Sequence, residues 1–189
     1  NTTTTQSIAI TKDTLSFEVI TGNATDVNRS GTQISPYYLR LRDGNGSLVG
    51  DRINVTFSVT SDGSTYDSGQ TNSTNTSSII IFWFNPTCSS PKYAVGSQKY
   101  KFSITSDPEY QDNDTDTAGL GLRLNVWGQL NLTFTKPDGT INFTQGQSIP
   151  FQGAITDDCI DAITPTIRYF ANYTNSSGDQ ALECTPVTK

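Results

Sequence analysis

The stretch Asn1-Thr2-Thr3-Thr4-Thr5-Gln6-Ser7-Ile8-Ala9-Ile10-Thr11-Lys12-Asp13-Thr14-Leu15-Ser16-Phe17-Glu18-Val19-Ile20 reads as two strands in two different phases. Ile8 and Ile10 are apolar at even positions, among Ser7, Ala9 and Thr11. Beyond Lys12-Asp13 the apolar pattern resumes at odd positions, with Leu15, Phe17 and Val19. Side chains alternate faces along a strand, so one unbroken strand cannot turn both sets to one face. The chain must bulge, turn or part company at Lys12-Asp13. A bulged first strand of a sandwich satisfies the pattern. So does an arm, Thr2 to Thr11, that leaves its own domain and adds a strand to another molecule's open sheet.

Downstream, short alternating runs recur between turn signals, and helical periodicity is almost absent. This is the pattern of an all-β sandwich. Tyr37, Leu39 and Leu41 form one strand face, and Asp43-Gly44-Asn45-Gly46 ends it in a turn. Ile53, Val55, Phe57 and Val59 alternate up to Asp62-Gly63, and Tyr100, Phe102 and Ile104 mark another half-buried strand. Ser68 to Ser78 reads as an exposed polar loop. Ile79-Ile80-Ile81-Phe82-Trp83-Phe84 is apolar on both faces and reads as a central strand covered on both sides. A binding surface made by half of that strand is the alternative.

From Ala118 to Thr135 one phase is held through Leu120, Leu122, Leu124, Val126, Leu130, Leu132 and Phe134, with Gly128 the only gap. This predicts the last strand of one domain running into the first of the next, with a bend at Trp127-Gly128 and little slack. The expected division is an arm over 1–12, a first β-sandwich domain over 13–127 and a smaller one over 128–189. The second domain offers five strand candidates: Gln129 to Thr135, Thr140 to Thr144, Ser148 to Thr156, Thr166 to Tyr173 and Ala181 to Val187. Lys136-Pro137-Asp138-Gly139 is expected to join the first two as a hairpin. Five strands fall short of the seven usual in an immunoglobulin-like sandwich. A missing strand leaves an apolar groove and an open edge, a deficit that matches the spare strand at the N-terminus.

Twelve of the fourteen asparagines begin Asn-x-Ser/Thr: Asn1, Asn23, Asn28, Asn45, Asn54, Asn72, Asn75, Asn113, Asn131, Asn142, Asn172 and Asn175. With Ser and Thr at about a quarter of the chain, chance gives about four such acceptors for N-glycosylation. Asn54, Asn131, Asn142 and Asn172 stand between apolar neighbours, so alternation turns them to solvent, where a sugar needs to be. Charged residues make up only 16%, so glycans rather than charge would keep the surface soluble. The expectation is an exported, processed chain beginning at Asn1 and without a membrane anchor. With a net charge of -6 there is no basic patch for nucleic acid. The scarcity of carboxylates also suits an acidic exterior.

Three cysteines in an exported chain imply one disulfide and one cysteine left over. Cys159 and Cys184, close in sequence within the second domain, are the expected pair, which leaves Cys88 buried or bonded between subunits. Pairing of Cys88 with either of the others is the alternative. The chain has no His and no Met, so the commonest general base and metal ligand are missing. No phosphate loop, nucleophile elbow or triad can be assembled, and an enzyme is not expected. A carboxylate pair such as Asp157 and Asp158 with Asp161 is of the kind a glycosidase uses. Asp112-x-Asp114-x-Asp116 resembles the start of a calcium loop. Thr117 and Arg123, however, stand where such a loop needs Gly and Glu, so a solvated loop is expected and no cofactor. A lysine-asparagine crosslink through Lys136 or Lys99 is conceivable.

Taken together, the alternating N-terminal strand, two β-domains, dense sequons and missing anchor resemble the subunits of archaeal threads, surface filaments of thermoacidophilic archaea. The resemblance implies two immunoglobulin-like β-sandwich domains in tandem. It also implies that Gln6, Ser7, Ile8, Ala9, Ile10 and Thr11 are a donor strand inserted into the incomplete sandwich of the next subunit. The partners would then be identical subunits, head to tail in an extracellular cell-surface filament, and whatever cells or surfaces it touches. Competing readings are a carbohydrate-binding or adhesin module and an S-layer or stalk fragment. An exposed aromatic cluster among Tyr37, Tyr38, Trp83 and Tyr93 would favour sugar binding.

Overall fold

The odd phase that begins at Leu15 is the phase that reaches the core. The computed structural model describes residues 11–29, 33–144, 146–161 and 163, and the backbone of Phe170–Asn175 and Gly178–Glu183. Among the described residues the protein is all-β. The strands are β1 Leu15–Thr21, β2 Thr25–Asn28, β3 Ser35–Asp43, β4 Asn54–Val59, β5 Gln70–Ser73, β6 Ile79–Phe84, β7 Gly96–Ile104, β8 Asn113–Asp114, β9 Arg123–Trp127, β10 Leu130–Lys136, β11 Gln152–Asp157, β12 Phe170–Asn175 and β13 Gly178–Glu183. They fall into two compact units, Asn1–Gly128 and Gln129–Lys189.

In the first unit one sheet has the order β1-β3-β6, and the other runs β2-β9-β7-β4-β5 with β8 on β7. The inward residues of both sheets form one core: Leu15, Tyr37, Leu39, Leu41, Ile80, Phe82 and Phe84 from the first, and Val27, Val55, Phe57, Val59, Tyr100, Phe102, Ile104, Leu124 and Val126 from the second. Two facing sheets with a shared core are consistent with a β-sandwich. Just before β1, Asp13 donates its N–H to Glu109 O (3.0 Å) and accepts from Gln111 N–H (2.9 Å). The phase break at Lys12-Asp13 is therefore where the chain is stitched to another loop before β1 begins.

Two expectations for this unit are corrected. The Ser68 to Ser78 loop contains β5, an all-exposed edge strand paired with β4. It lacks the apolar alternation that marks a strand, and it is held by the backbone ladder and by a Thr56–Thr71 hydroxyl pair at 2.9 Å. Gly69 leads into it at φ +74°, where a Cβ would fall 2.5 Å from Ser58 Oγ and 2.9 Å from Phe57 O. The second correction concerns β6, which ends its sheet rather than lying at the centre. Ile80, Phe82 and Phe84 are buried, but Ile79 and Ile81 are half-covered and Trp83 is exposed.

In the second unit β10 pairs with β11 in antiparallel register, Leu132 opposite Ile155, and β12 pairs with β13. The expected hairpin at Lys136-Pro137-Asp138-Gly139 does not form, because Thr140 to Thr144 is not a strand. Asp138 Oδ1 instead accepts Thr140 N–H (2.9 Å) and its hydroxyl (2.6 Å), a local turn that satisfies itself without a ladder.

Phe57 is the hub of the core. Its ring centroid lies 4.9 Å from Tyr37, 5.4 Å from Phe82 and 6.0 Å from Phe84 in the facing sheet, and 5.6 and 5.3 Å from Tyr100 and Phe102 in its own. Replacing Phe57 by Ala should cost about 3–5 kcal/mol in urea unfolding. Tyr100 is fully buried and its hydroxyl has no hydrogen-bond partner among the described residues. Tyr100→Phe should therefore be neutral or stabilising, since it removes a desolvated hydroxyl and no bond.

Burial also pushes the Tyr37, Tyr93 and Tyr100 phenols well above their ordinary value. Folded values above unfolded ones mean that this contribution is intact below a pH of about 10 and fades as pH rises beyond it. Phenolate absorbance from these three should then appear only with alkaline unfolding, in step with the loss of β signal. A single step near the ordinary value would contradict the burial.

Candidate functional site

Strand β10 has no buried face. Leu130 is 67% exposed, Leu132 48% and Phe134 56%, and all three lie on one side of the strand. Their partners across the ladder are Asp157, Ile155 and Gly153, with Ile155 half-buried. At Gly153 a Cβ would come 2.6 Å from Thr133 O, so the backbones approach closely where Phe134 crosses. Ile141, Ile149 and Phe151 in the same unit are exposed as well. An apolar strand face of this length is a surface that another chain can cover.

The residues expected to cover such a face, Gln6, Ser7, Ile8, Ala9 and Ile10, lie outside the described residues, and Thr11 is exposed. In the first unit the same phase behaves differently. Its even-phase strand end closes inward, with Leu122, Leu124 and Val126 buried, whereas Leu120 is exposed. The single phase that runs from Leu120 to Phe134 thus covers two environments: buried in β9 and open in β10.

Among the expected glycan acceptors, Asn23, Asn45, Asn54, Asn72, Asn75, Asn131 and Asn142 are exposed, and Asn28 and Asn113 are half-buried. Asn1 lies outside the described residues, and Asn172 and Asn175 are placed on β12 by backbone only. Side-chain bonds divide the described acceptors. Asn23 Oδ1 accepts Arg123 N–H (3.1 Å), Asn54 Oδ1 accepts the Ser73 hydroxyl (2.6 Å), and Asn75 Oδ1 accepts Ser77 and Ile79 N–H (2.9 and 3.0 Å). In these three the oxygen is held. Asn72 and Asn113 instead donate through Nδ2, the atom that would carry the sugar, to Ile81 O and Leu15 O, each at 3.2 Å.

The aromatic cluster is only partly at the surface. Tyr37 and Tyr93 are core residues, whereas Tyr38, opposite Ile81, and Trp83, opposite Pro36, share the outer side of the β1-β3-β6 sheet. The acidic loop is satisfied locally. Asp112 Oδ1 accepts Ser106 N–H (2.8 Å), Asp114 Oδ1 accepts Thr117 N–H (2.6 Å) while its Oδ2 meets Lys101 Nζ (3.3 Å), and Asp116 accepts the Tyr66 hydroxyl. The three carboxylates turn to three different partners rather than converging on one point. Asp157 Oδ1 caps a turn by accepting Cys159 and Asp161 N–H, both at 2.9 Å. Lys99 stands on the exposed side of β7 and Lys136 ends β10.

Cys88 and Cys159 are each disulfide-bonded. The expectation of Cys88 as the cysteine left over beside a Cys159–Cys184 pair is thereby corrected for Cys88, and Cys184 itself lies outside the described residues. Two oxidised sulfurs also offer no thiolate to a metal. No protein-family model and no curated protein matches this chain.

Two measurements follow from this geometry. A non-reducing digest should contain Cys88 only in a crosslinked peptide, and a free Cys88 thiol would contradict the structure. Glycopeptide mapping of native protein should find sugar on Asn23, Asn54, Asn75, Asn131 and Asn142 more fully than on Asn72 and Asn113. The reverse order would mean that the held Nδ2 atoms do not govern occupancy.

Proposed function

We propose that this chain is the structural subunit of an extracellular, N-glycosylated filament, assembled by inserting Gln6 to Thr11 of one copy into the second unit of the next. The observation that carries the reading is the open apolar side of β10, Leu130, Leu132 and Phe134, in a unit whose described sheets are two-stranded. Ile8 and Ile10 alternate at the same spacing as these residues, so an added strand would present two isoleucines to them. The first unit needs no such strand. It reads as immunoglobulin-like, with β1 on one sheet and β2 parallel to the last strand, β9, on the other. On this reading the two units are tandem immunoglobulin-like sandwiches, the second completed by its neighbour. Assembly of this kind requires no catalytic group and no metal.

A second reading has one observation in its favour. Trp83, Ile81, Tyr38 and Pro36 form an outward aromatic and apolar patch suited to the flat face of a sugar. A carbohydrate-binding or adhesin role of the same subunit would use that patch.

The test compares assembly and circular dichroism of wild type, Ile8→Asp/Ile10→Asp and Leu132→Asp. A buried isoleucine contributes about 1.5–3 kcal/mol, and a carboxylate in the same place is strongly disfavoured. Each variant should remain monomeric with its own β signal intact, since Leu15, Phe17 and Val19 are untouched. Mixing the arm variant with the Leu132 variant should cap chains at two subunits, because each retains one working half. Normal filaments from any of the variants would end the proposal. Loss of β signal in the arm variant would make 1–12 an ordinary strand of its own unit.

A further inference from the structure

Asn28 and Trp127 are direct neighbours on the parallel β2–β9 pair, Asn28 opposite Trp127 and Asp26 opposite Asn125. Val27 and Val126 are buried, so alternation turns Asp26, Asn28, Asn125 and Trp127 together to the outer side. Adjacent strands lie about 5 Å apart, which sets the Asn28 amide beside the base of the indole. Trp127 is 56% exposed. Asp26, on the same outer side, accepts from Asn125 Nδ2 (3.0 Å), and its neighbours Asn125 and Trp127 hold its carboxyl below the usual range. The acceptor strand is anchored. Arg29, the middle residue of Asn28-Arg29-Ser30, is buried with Nη1 donating to Tyr93 O (2.8 Å), and its N–H donates to Trp127 O (2.9 Å).

We infer that Asn28 is a glycan-bearing site whose first sugar ring packs on the face of Trp127. A pyranose has one face of C–H bonds, weakly positive, and an indole presents a negative π face, the pairing that makes aromatic rings good platforms for flat ligands. Here the partner does not have to be captured from solution: a covalent bond to Asn28 Nδ2 would hold it beside the ring. The strand register supplies the proximity and the buried Arg29 the outward aim of Asn28. No other described acceptor pairs with a tryptophan across a ladder. The inference rests on the glycosylated part of the reading above and is independent of filament assembly.

The experiment uses the full chain from a host that glycosylates Asn-x-Ser/Thr, with Trp83→Phe so that Trp127 is the sole indole. Glycopeptide mapping reads occupancy at Asn28. Acrylamide quenching of Trp127 and thermal unfolding are then compared with and without Asn28→Gln. The glycan should shield the indole, so Asn28→Gln should raise the quenching constant and lower the melting temperature by about 2–4 °C. Thermal unfolding in a Trp127→Ala background should show almost no effect of Asn28→Gln, and Trp127→Phe should restore most of it. If Asn54 and Asn142 carry sugar but Asn28 does not, the inference fails and the glycoprotein reading stands. It fails equally if Asn28 is occupied and neither quenching nor the coupling to Trp127 moves. If no acceptor in the chain is occupied in the native protein, both fall together.

Discussion

Phe57 stands between the sheets of the first unit and meets rings from both, and the rest of that unit is arranged by what this packing demands. Large aromatic side chains bury most area when they interleave tilted or edge to face. Tyr37 crosses Tyr100 at 70° and Phe84 crosses Tyr93 at 89°. Such a layer forms only if β3, β4, β6 and β7 keep their phase, because a one-residue slip would send every ring to solvent. The hydroxyl of Tyr100 shows how firmly the layer is set. A desolvated polar atom is tolerated at the centre because its ring fills space that the neighbouring rings define.

This part of the fold was legible in the sequence because burial there follows a period of two. Tyr37, Leu39 and Leu41, then Ile53, Val55, Phe57 and Val59, are apolar at every second position and buried at every second position. The reading failed where one of those conditions was missing. β5 is built from Gln70-Thr71-Asn72-Ser73, which carries no apolar signal because an edge strand on a solvated face needs only its ladder and hydroxyl contacts. In β6 the pattern was apolar on both faces, and sequence cannot distinguish a covered outer face from an uncovered one. Trp83 and Ile81 look outward from a sheet that ends at their strand.

The open site was legible in part and for a different reason. A shortage of strand candidates in the second unit pointed to an incomplete sheet, yet Leu130, Leu132 and Phe134 share their phase with the buried Leu122, Leu124 and Val126. Periodicity reports which side chains lie together, and it says nothing about whether anything lies over them. The cysteines show the same limit. Nearness in sequence favoured Cys159 with Cys184, but the entropy of closing a loop grows only logarithmically with its length, so a short separation is weak grounds for a pairing. The bond to Cys88 had no local pattern from which to be read.

Phase also decides what each face of the second unit can be used for. In β10 the even positions from Leu130 to Phe134 are apolar, and the odd positions between them hold Asn131, an acceptor sequence, and Thr133. A glycan on Asn131 would occupy the odd face and keep any second sheet or neighbouring molecule from stacking there. The apolar even face would then be the only one on which a strand or sheet could settle. A chain with few charges has little else to keep an exposed strand pair from associating at random, since edge lysines and prolines are the usual means. Sugars on one face would direct that association to the other, where side chains that match Leu130, Leu132 and Phe134 in spacing decide which strand fits. Glycosylation and assembly would thus be two consequences of the same alternation, with odd residues setting what is kept away and even residues what is let in.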